Sequence, residues 1–184
     1  MKVSKEKSAE NRDLILQEAA RLFRERGTAG VGVDALMDAA GLTHGSLYSL
    51  FGSKDKLMAE SLKDGFARIV SRGAGIKTLP EAITGYVSER HRDNPGAGCF
   101  MATLGSEIPR QSKDVRRTFT QIVQGNMSRL AKLLPSGSKK KREDEALGVM
   151  ATMVGAIVLA RAVDNTEFSD RILKVVRTRL LQEQ

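Results

Sequence analysis

A chain of 184 residues is long enough to bury a core of its own, as one domain or as a small domain docked on a larger one. Aromatic residues make up only 4%, Trp is absent, helix formers dominate and strand-like alternation is scarce, so the expected class is all-α. The net charge of +8 suits a polyanionic partner, yet residues 1–54 hold eight Lys/Arg against seven Asp/Glu, which leaves only +1 of it there.

Residues 1–7 alternate Lys, Ser and Glu without a signal-peptide pattern. They read as a frayed arm, the alternative being an arm that touches a DNA minor groove or phosphate. A helix is predicted from about Ser8 to Arg26, with Leu14, Ile15, Ala19, Leu22 and Phe23 on one stripe and Arg12, Glu18, Arg21 and Glu25 opposite. Gly27 ends it. Val33, Leu36, Met37 and Ala40 then recur at helical spacing, as do Leu47, Leu50 and Phe51 after Gly41-Leu42-Thr43. Gly41 suits the positive φ of a helix end and Thr43 the cap of the next helix, so this is a helix-turn-helix.

The exposed face of its second helix offers Thr43, His44, Ser46, Tyr48 and Ser49, short or planar hydrogen-bonding groups with no carboxylate among them. Gly45 in the first turn costs about 1 kcal/mol of helix propensity relative to Ala. That cost has a use if the helix end must approach another backbone closely, and bare amides there suit a phosphate oxygen. Ser53 caps a further helix whose Lys54 adds a cation to the same surface.

The run Thr43-His-Gly-Ser-Leu-Tyr-Ser-Leu-Phe-Gly-Ser-Lys-Asp-Lys-Leu57 resembles the signature of TetR/AcrR-type transcriptional regulators. That signature is Ser/Thr-x-Gly-Thr/Ser-Leu-Tyr-x-x-Phe-x-x-Lys-x-x-Leu after an alanine-alanine-glycine turn. The resemblance covers roughly residues 8 to 57. It departs from the family at Val31-Gly32, where Thr or Ser is usual at the start of the chain's second helix, contacting phosphate; Gly caps nearly as well as Ser, so the fold is expected to hold.

Beyond the motif, a helix from Lys54 to about Ser71 joins head to body without a flexible linker. Thr78, Pro80 and Glu81 start a helix to about Arg92, and Asp93-Asn-Pro-Gly-Ala-Gly98 is a strong turn signal. Helices follow over Cys99–Ile108 and about 113–134. Pro135 to Arg142 reads as a solvated basic loop, the alternative being a second contact to DNA or an acidic partner. Glu143 to Val163 is apolar on most of its circumference and Asn165 to Leu181 carries Phe168, Ile172, Val175, Val176, Leu180 and Leu181 on one side. The apolar run from Ala146 to Ala160 is shorter than the roughly 20 residues of a membrane span, so no span is expected.

Phe66, Tyr86, Phe100, Met101, Phe119 and Met127 suit either a plain core or a pocket for an apolar or amphipathic molecule. Cys99, the one cysteine, fits a reducing cytoplasm and excludes an internal disulfide framework. It reads as a small buried hydrophobe or, in the first turn of its predicted helix, as a thiolate that senses electrophiles. No residue is assigned a catalytic, cofactor-binding or metal-ligating role, since no nucleophile–base pair, phosphate loop or ligand spacing occurs.

The resemblance implies about nine helices: a helix-turn-helix DNA-binding domain over 1–53 and an effector-binding and dimerisation domain over 54–184. It implies a cytoplasmic, two-fold homodimer on a double-stranded palindromic operator, nucleoid-associated when bound and released by a small-molecule effector or electrophile. Thr43, Tyr48 and Lys54 would meet phosphate, His44, Ser46 and Ser49 base edges, and Gly45 would allow close approach. Phe66, Tyr86, Cys99, Phe100, Met101, Phe119 and Met127 would line the effector pocket. The rival readings are a small helical enzyme in the body and a protein–protein adaptor that uses the helix-turn-helix as a scaffold.

Overall fold

The structure is a computed structural model that describes residues 4–135 and 137–182. Residues 1–3 of the expected frayed arm and Ser136 of the expected basic loop lie outside the described residues. Among the described residues there are ten α-helices and no strand. The first, α1 (Lys5–Arg26), starts earlier than the apolar pattern suggests because Ser4 caps it, its Oγ accepting the Lys7 amide at 3.1 Å. Ile15, Leu16, Ala19, Ala20, Leu22 and Phe23 are its buried face. Leu14, expected on that stripe, is 42% exposed. It lies about 140° round the helix from Ala19, whereas Leu16 lies about 60° away, and Leu16 takes the inward position.

Gly27 ends α1 at φ 74°, and a Cβ there would also stand 2.5 Å from a Glu107 carboxylate oxygen. α2 (Val33–Ala39) begins at Gly32 without a side-chain cap bond. Gly41, at φ 64°, turns the chain into α3 (His44–Phe51). Leu36, Met37, Ala40, Leu47 and Phe51 are buried where these helices meet α1. Ser53 then caps α4 (Lys54–Arg72), accepting the Lys56 amide at 3.2 Å, and α4 packs on α1 and α8.

The single helix predicted over 78–92 is two, α5 (Leu79–Tyr86) and α6 (Glu89–Asp93). A Thr78–Glu81 capping box starts the first. Val87 leaves helical geometry at ψ 74° while its side chain is fully buried, and Ser88 caps the His91 amide. The helix predicted from Cys99 to Ile108 is only α7 (Phe100–Leu104), followed by Gly105-Ser106 and the backbone restriction before Pro109. Cys99 therefore stands outside a five-residue helix rather than in the first turn of a longer one.

α8 (Lys113–Ala131) and α10 (Thr166–Gln182) fall near their expected spans. α9 (Lys139–Ala162) starts earlier than expected, because Ser138 Oγ accepts the Lys141 amide at 3.2 Å. The basic run Lys139–Arg142 is thus a first helical turn, not loop. α9 is also long and apolar enough, by length and composition alone, to cross a membrane, where the sequence reading expected no such segment. Seven of its residues, including Val149, Met153 and Ile157, are buried against neighbouring helices.

Two apolar clusters hold the molecule. One joins Ile15, Phe23, Leu36 and Leu47 to Leu57, Leu62, Phe100, Leu104, Val115 and Ile122, so the head shares a core with α4, α7 and α8. The other joins Leu79, Ile83 and Val87 to Met153, Ile157, Leu173 and Leu180. A helix-turn-helix unit of about 50 residues is marginal on its own, and the shared core adds to the surface it buries.

Candidate nucleic-acid interface

α3 buries Leu47 and Phe51 and turns its other face to solvent. Thr43, His44, Gly45, Tyr48 and Ser49 are exposed, Ser46 is half-buried, and all lie on or beside the first two turns. Thr43 occupies the N-cap position but its hydroxyl meets Ser46 Oγ at 3.1 Å, so no side chain caps the helix-start amides, although the Ser46 amide donates to the Thr43 carbonyl at 2.9 Å. Ser49 Oγ donates to the Ser46 carbonyl at 3.1 Å. His44 Nδ1 and Asp34 Oδ1 are 2.5 Å apart, tying α3 to α2 and leaving Nε2 for another partner. The Tyr48 ring stands beside that of His44 and is 52% exposed. A Cβ at Gly45 would meet nothing within 4 Å, so the helix start is open to a large partner.

Lys54 is half-buried and donates to the Thr28 carbonyl at 3.1 Å, one of its three donors. That bond belongs to a knot the sequence gave no sign of. The buried Thr28 donates its N–H and hydroxyl to Glu107 Oε2 at 2.7 and 2.5 Å, and Gln111 Nε2 donates to the Thr28 hydroxyl at 3.0 Å. A second tie joins head and body at Arg24. Its guanidinium lies 4.4 Å from the Phe100 ring centroid and donates Nε to Gly96 O at 2.7 Å. Burial, and then the charge of Arg72, bring its pKa down to about 10.

The body holds a cavity of about 770 Å³ with Phe100 on its wall. Phe66, Tyr86, Cys99, Phe100 and Met101 line it. Phe119 and Met127, assigned to the pocket from sequence, do not: Phe119 packs on the head-side core and Met127 on the α9–α10 core. Ile122, Asn126, Arg129, Leu130 and Leu133 are the wall that α8 provides. Phe119 shares their stripe one turn nearer the head, and Met127 sits roughly 100° round from it.

His91 accepts the Cys99 amide on Nε2 at 3.0 Å, so Nδ1 carries the proton it shares with the Tyr86 carbonyl at 2.8 Å. Burial pulls the His91 pKa below its ordinary value and keeps the ring neutral. Burial, with Cys99 alongside, pushes the Tyr86 phenol well up, and its hydroxyl has no hydrogen-bond partner.

An exposed helix start with no carboxylate of its own has little to offer a small substrate and much to offer a duplex: the chain is a DNA-binding transcriptional regulator of the helix-turn-helix class. Residues 15–60 match the bacterial regulatory proteins of the tetR family, whose members are regulators rather than enzymes. It is 43% identical over 56 residues to the HTH-type transcriptional repressor KstR2 of Mycolicibacterium smegmatis, a match spanning 30% of this chain and 27% of that protein. Against the HTH-type transcriptional repressor DhaR of a Mycobacterium species it is 25% identical over 92% of each chain. A TetR-family regulator from Cytophaga hutchinsonii has the same fold, with a TM-score of 0.75 at 21% identity over 97% of this chain and 96% of that one.

Proposed function

We propose that the chain is a ligand-responsive repressor that works as a homodimer, with residues 1–53 reading a palindromic operator and residues 54–184 binding the effector and the second subunit. The observation that carries this is the open start of α3. Gly45 has no neighbour in the space a side chain would fill, and Thr43, His44, Ser46, Tyr48 and Ser49 surround it. Thr43, Tyr48 and Lys54 serve the phosphates; His44, Ser46 and Ser49 face base edges. Leu147, Val158 and Leu159 on α9 and Phe168, Val175 and Leu181 on α10 are exposed, an apolar face that a second copy would cover. Two copies related by a two-fold axis would set two α3 helices on half-sites one DNA turn apart, roughly 34–36 Å. In this reading the protein is cytoplasmic and nucleoid-associated while bound.

α7 is the route between cavity and head. Phe100 lines the cavity and its ring lies under Arg24, and the turn after α7 carries Glu107 to Thr28. An effector that favours the non-DNA geometry by about 10⁴-fold, roughly 5.5 kcal/mol, would empty the operator. An electrophile entering the cavity would meet the Cys99 thiol on its wall, and the mass of an adduct on Cys99 in folded protein checks that route. The test of the whole reading is a gel shift on the DNA flanking the protein's own gene. Specific binding that falls steeply with added salt is expected; a folded protein that ignores every duplex would refute it.

A further inference from the structure

Six arginines make an ion pair among the described residues: Arg12, Arg21, Arg68, Arg92, Arg117 and Arg177. Arg72, Arg90, Arg129 and Lys132 make none among the described residues, and all four line the body cavity. They come from separate places in the chain: the end of α4, α6, α8 and the residue just after α8. Among the described residues no Asp or Glu lines that cavity, and its histidine, His91, is held neutral by burial. Three of the four cations are exposed and mark the mouth, while Arg129 is half-buried. Its guanidinium stands where a Cβ at Gly73 would come within 3.3 Å, so the α4 end leaves it room. Inside are Phe66, Ile69, Met101, Ile122, Met150 and Met153.

From this arrangement we infer that the cavity receives an amphipathic acid, a molecule with an apolar chain or ring system and an anionic head group. The inference rests on the effector-responsive reading above and names the chemistry of that site. A cavity of this volume is in the range that encloses small ligands, and flexible Met walls tolerate variation in the apolar part. Four unpaired cations repel a cationic ligand and gain nothing from a neutral one; an anionic head supplies the partner each lacks. Arg129, half-buried and with a planar fork of donors, is the residue placed to hold a carboxylate or phosphate in two hydrogen bonds. The unpartnered Tyr86 hydroxyl offers a further hydrogen bond to a polar atom on the ligand body.

The test uses the full chain and four probes of equal chain length, held below micelle formation: decanoate, decyl phosphate, decan-1-ol and decyltrimethylammonium, with inorganic phosphate as a head-group control. Calorimetric titration should show binding by one or both anionic probes at least tenfold tighter than by the alcohol, and none by the cation or by inorganic phosphate. Comparing decanoate with decyl phosphate tells which head group the cations take. Arg129→Gln should cost the anionic probes at least tenfold and leave the alcohol unchanged, and Arg129→Lys should restore part of the loss. Equal or tighter binding of the alcohol or the cation, binding by inorganic phosphate alone, or no binding by any probe would overturn the inference. A gel shift on the same samples separates it from the reading beneath it. If anionic probes bind by this rule but leave the DNA complex intact, the cavity assignment stands and effector release falls. If the cation releases DNA, release stands and the assignment falls.

Discussion

In the head, Ile15, Phe23, Leu36 and Leu47 are all fully buried, and the chain turns at glycines with positive φ, Gly27, Gly41 and Gly52. In the body, Tyr86, Phe100, Met101 and Met153 surround about 770 Å³ of open space, and helices break in mid-pattern at Val87 and after Leu104. The first region can hold one geometry; the second has room to repack around a guest. A regulator needs both, a reading surface set in advance and a body with two arrangements to choose between. α4 and α7 join them, since each contributes to the head-side core and to the cavity wall.

The largest effect should come from cutting into the tight region. Phe23→Ala is expected to cost about 3–5 kcal/mol in urea unfolding. Met153→Ala, on the wall of an existing void, should fall near the low end of its class, about 2 kcal/mol. Equal losses would break the contrast between head and body. Glu107→Ala comes next. It strips the acceptor from the buried Thr28 N–H and hydroxyl, at about 1–3 kcal/mol, and should raise amide exchange around residues 28–33 before the rest of the head. Unchanged exchange there would mean that the α7 turn does not steady the head.

A smaller effect is tied to pH. His91 is buried and neutral with its pKa lowered, so the unfolded chain takes up a proton at a higher pH than the folded one does. Its contribution to stability is fully present above the ordinary imidazole value of about 6.5 and is lost as pH falls through the folded value. The melting temperature should therefore drop on acidification below that point, and His91→Gln should flatten that part of the profile. Smallest of all for the single chain is Leu159→Asp. At a position 57% exposed it should change unfolding by about 0.5 kcal/mol or less, while sedimentation shows the proposed dimer coming apart.

The head was legible because its rules are local. A glycine three residues before a helix start, a serine before Lys54 and apolar residues at helical spacing each act within a turn or two. The body yields less for physical reasons. Helical phase says that Phe119 and Met127 face inward, but α8 packs on two cores and a cavity at once, and spacing cannot say which of them a residue meets. The Thr28–Glu107 knot joins residues 79 apart, and neither is unusual in its own stretch of chain. The split at Val87 follows from burying one side chain in the α9–α10 core, a tertiary demand that overrides a continuous helical pattern. Likewise the early start of α9 hangs on a single cap, Ser138, in a run whose charges read as loop.

The most direct measurement is the affinity of folded wild-type, Tyr48→Ala and Ser46→Ala protein for DNA fragments selected from genomic DNA, each across a range of salt. The account predicts selected sites with two half-sites about one helical turn apart. Tyr48→Ala should weaken binding to all sequences alike, and Ser46→Ala should shift base preference by about 1–3 kcal/mol per half-site. Folded Tyr48→Ala and Ser46→Ala variants that bind every fragment as the wild type does would contradict it, because the exposed start of α3 would then not be the surface that meets DNA.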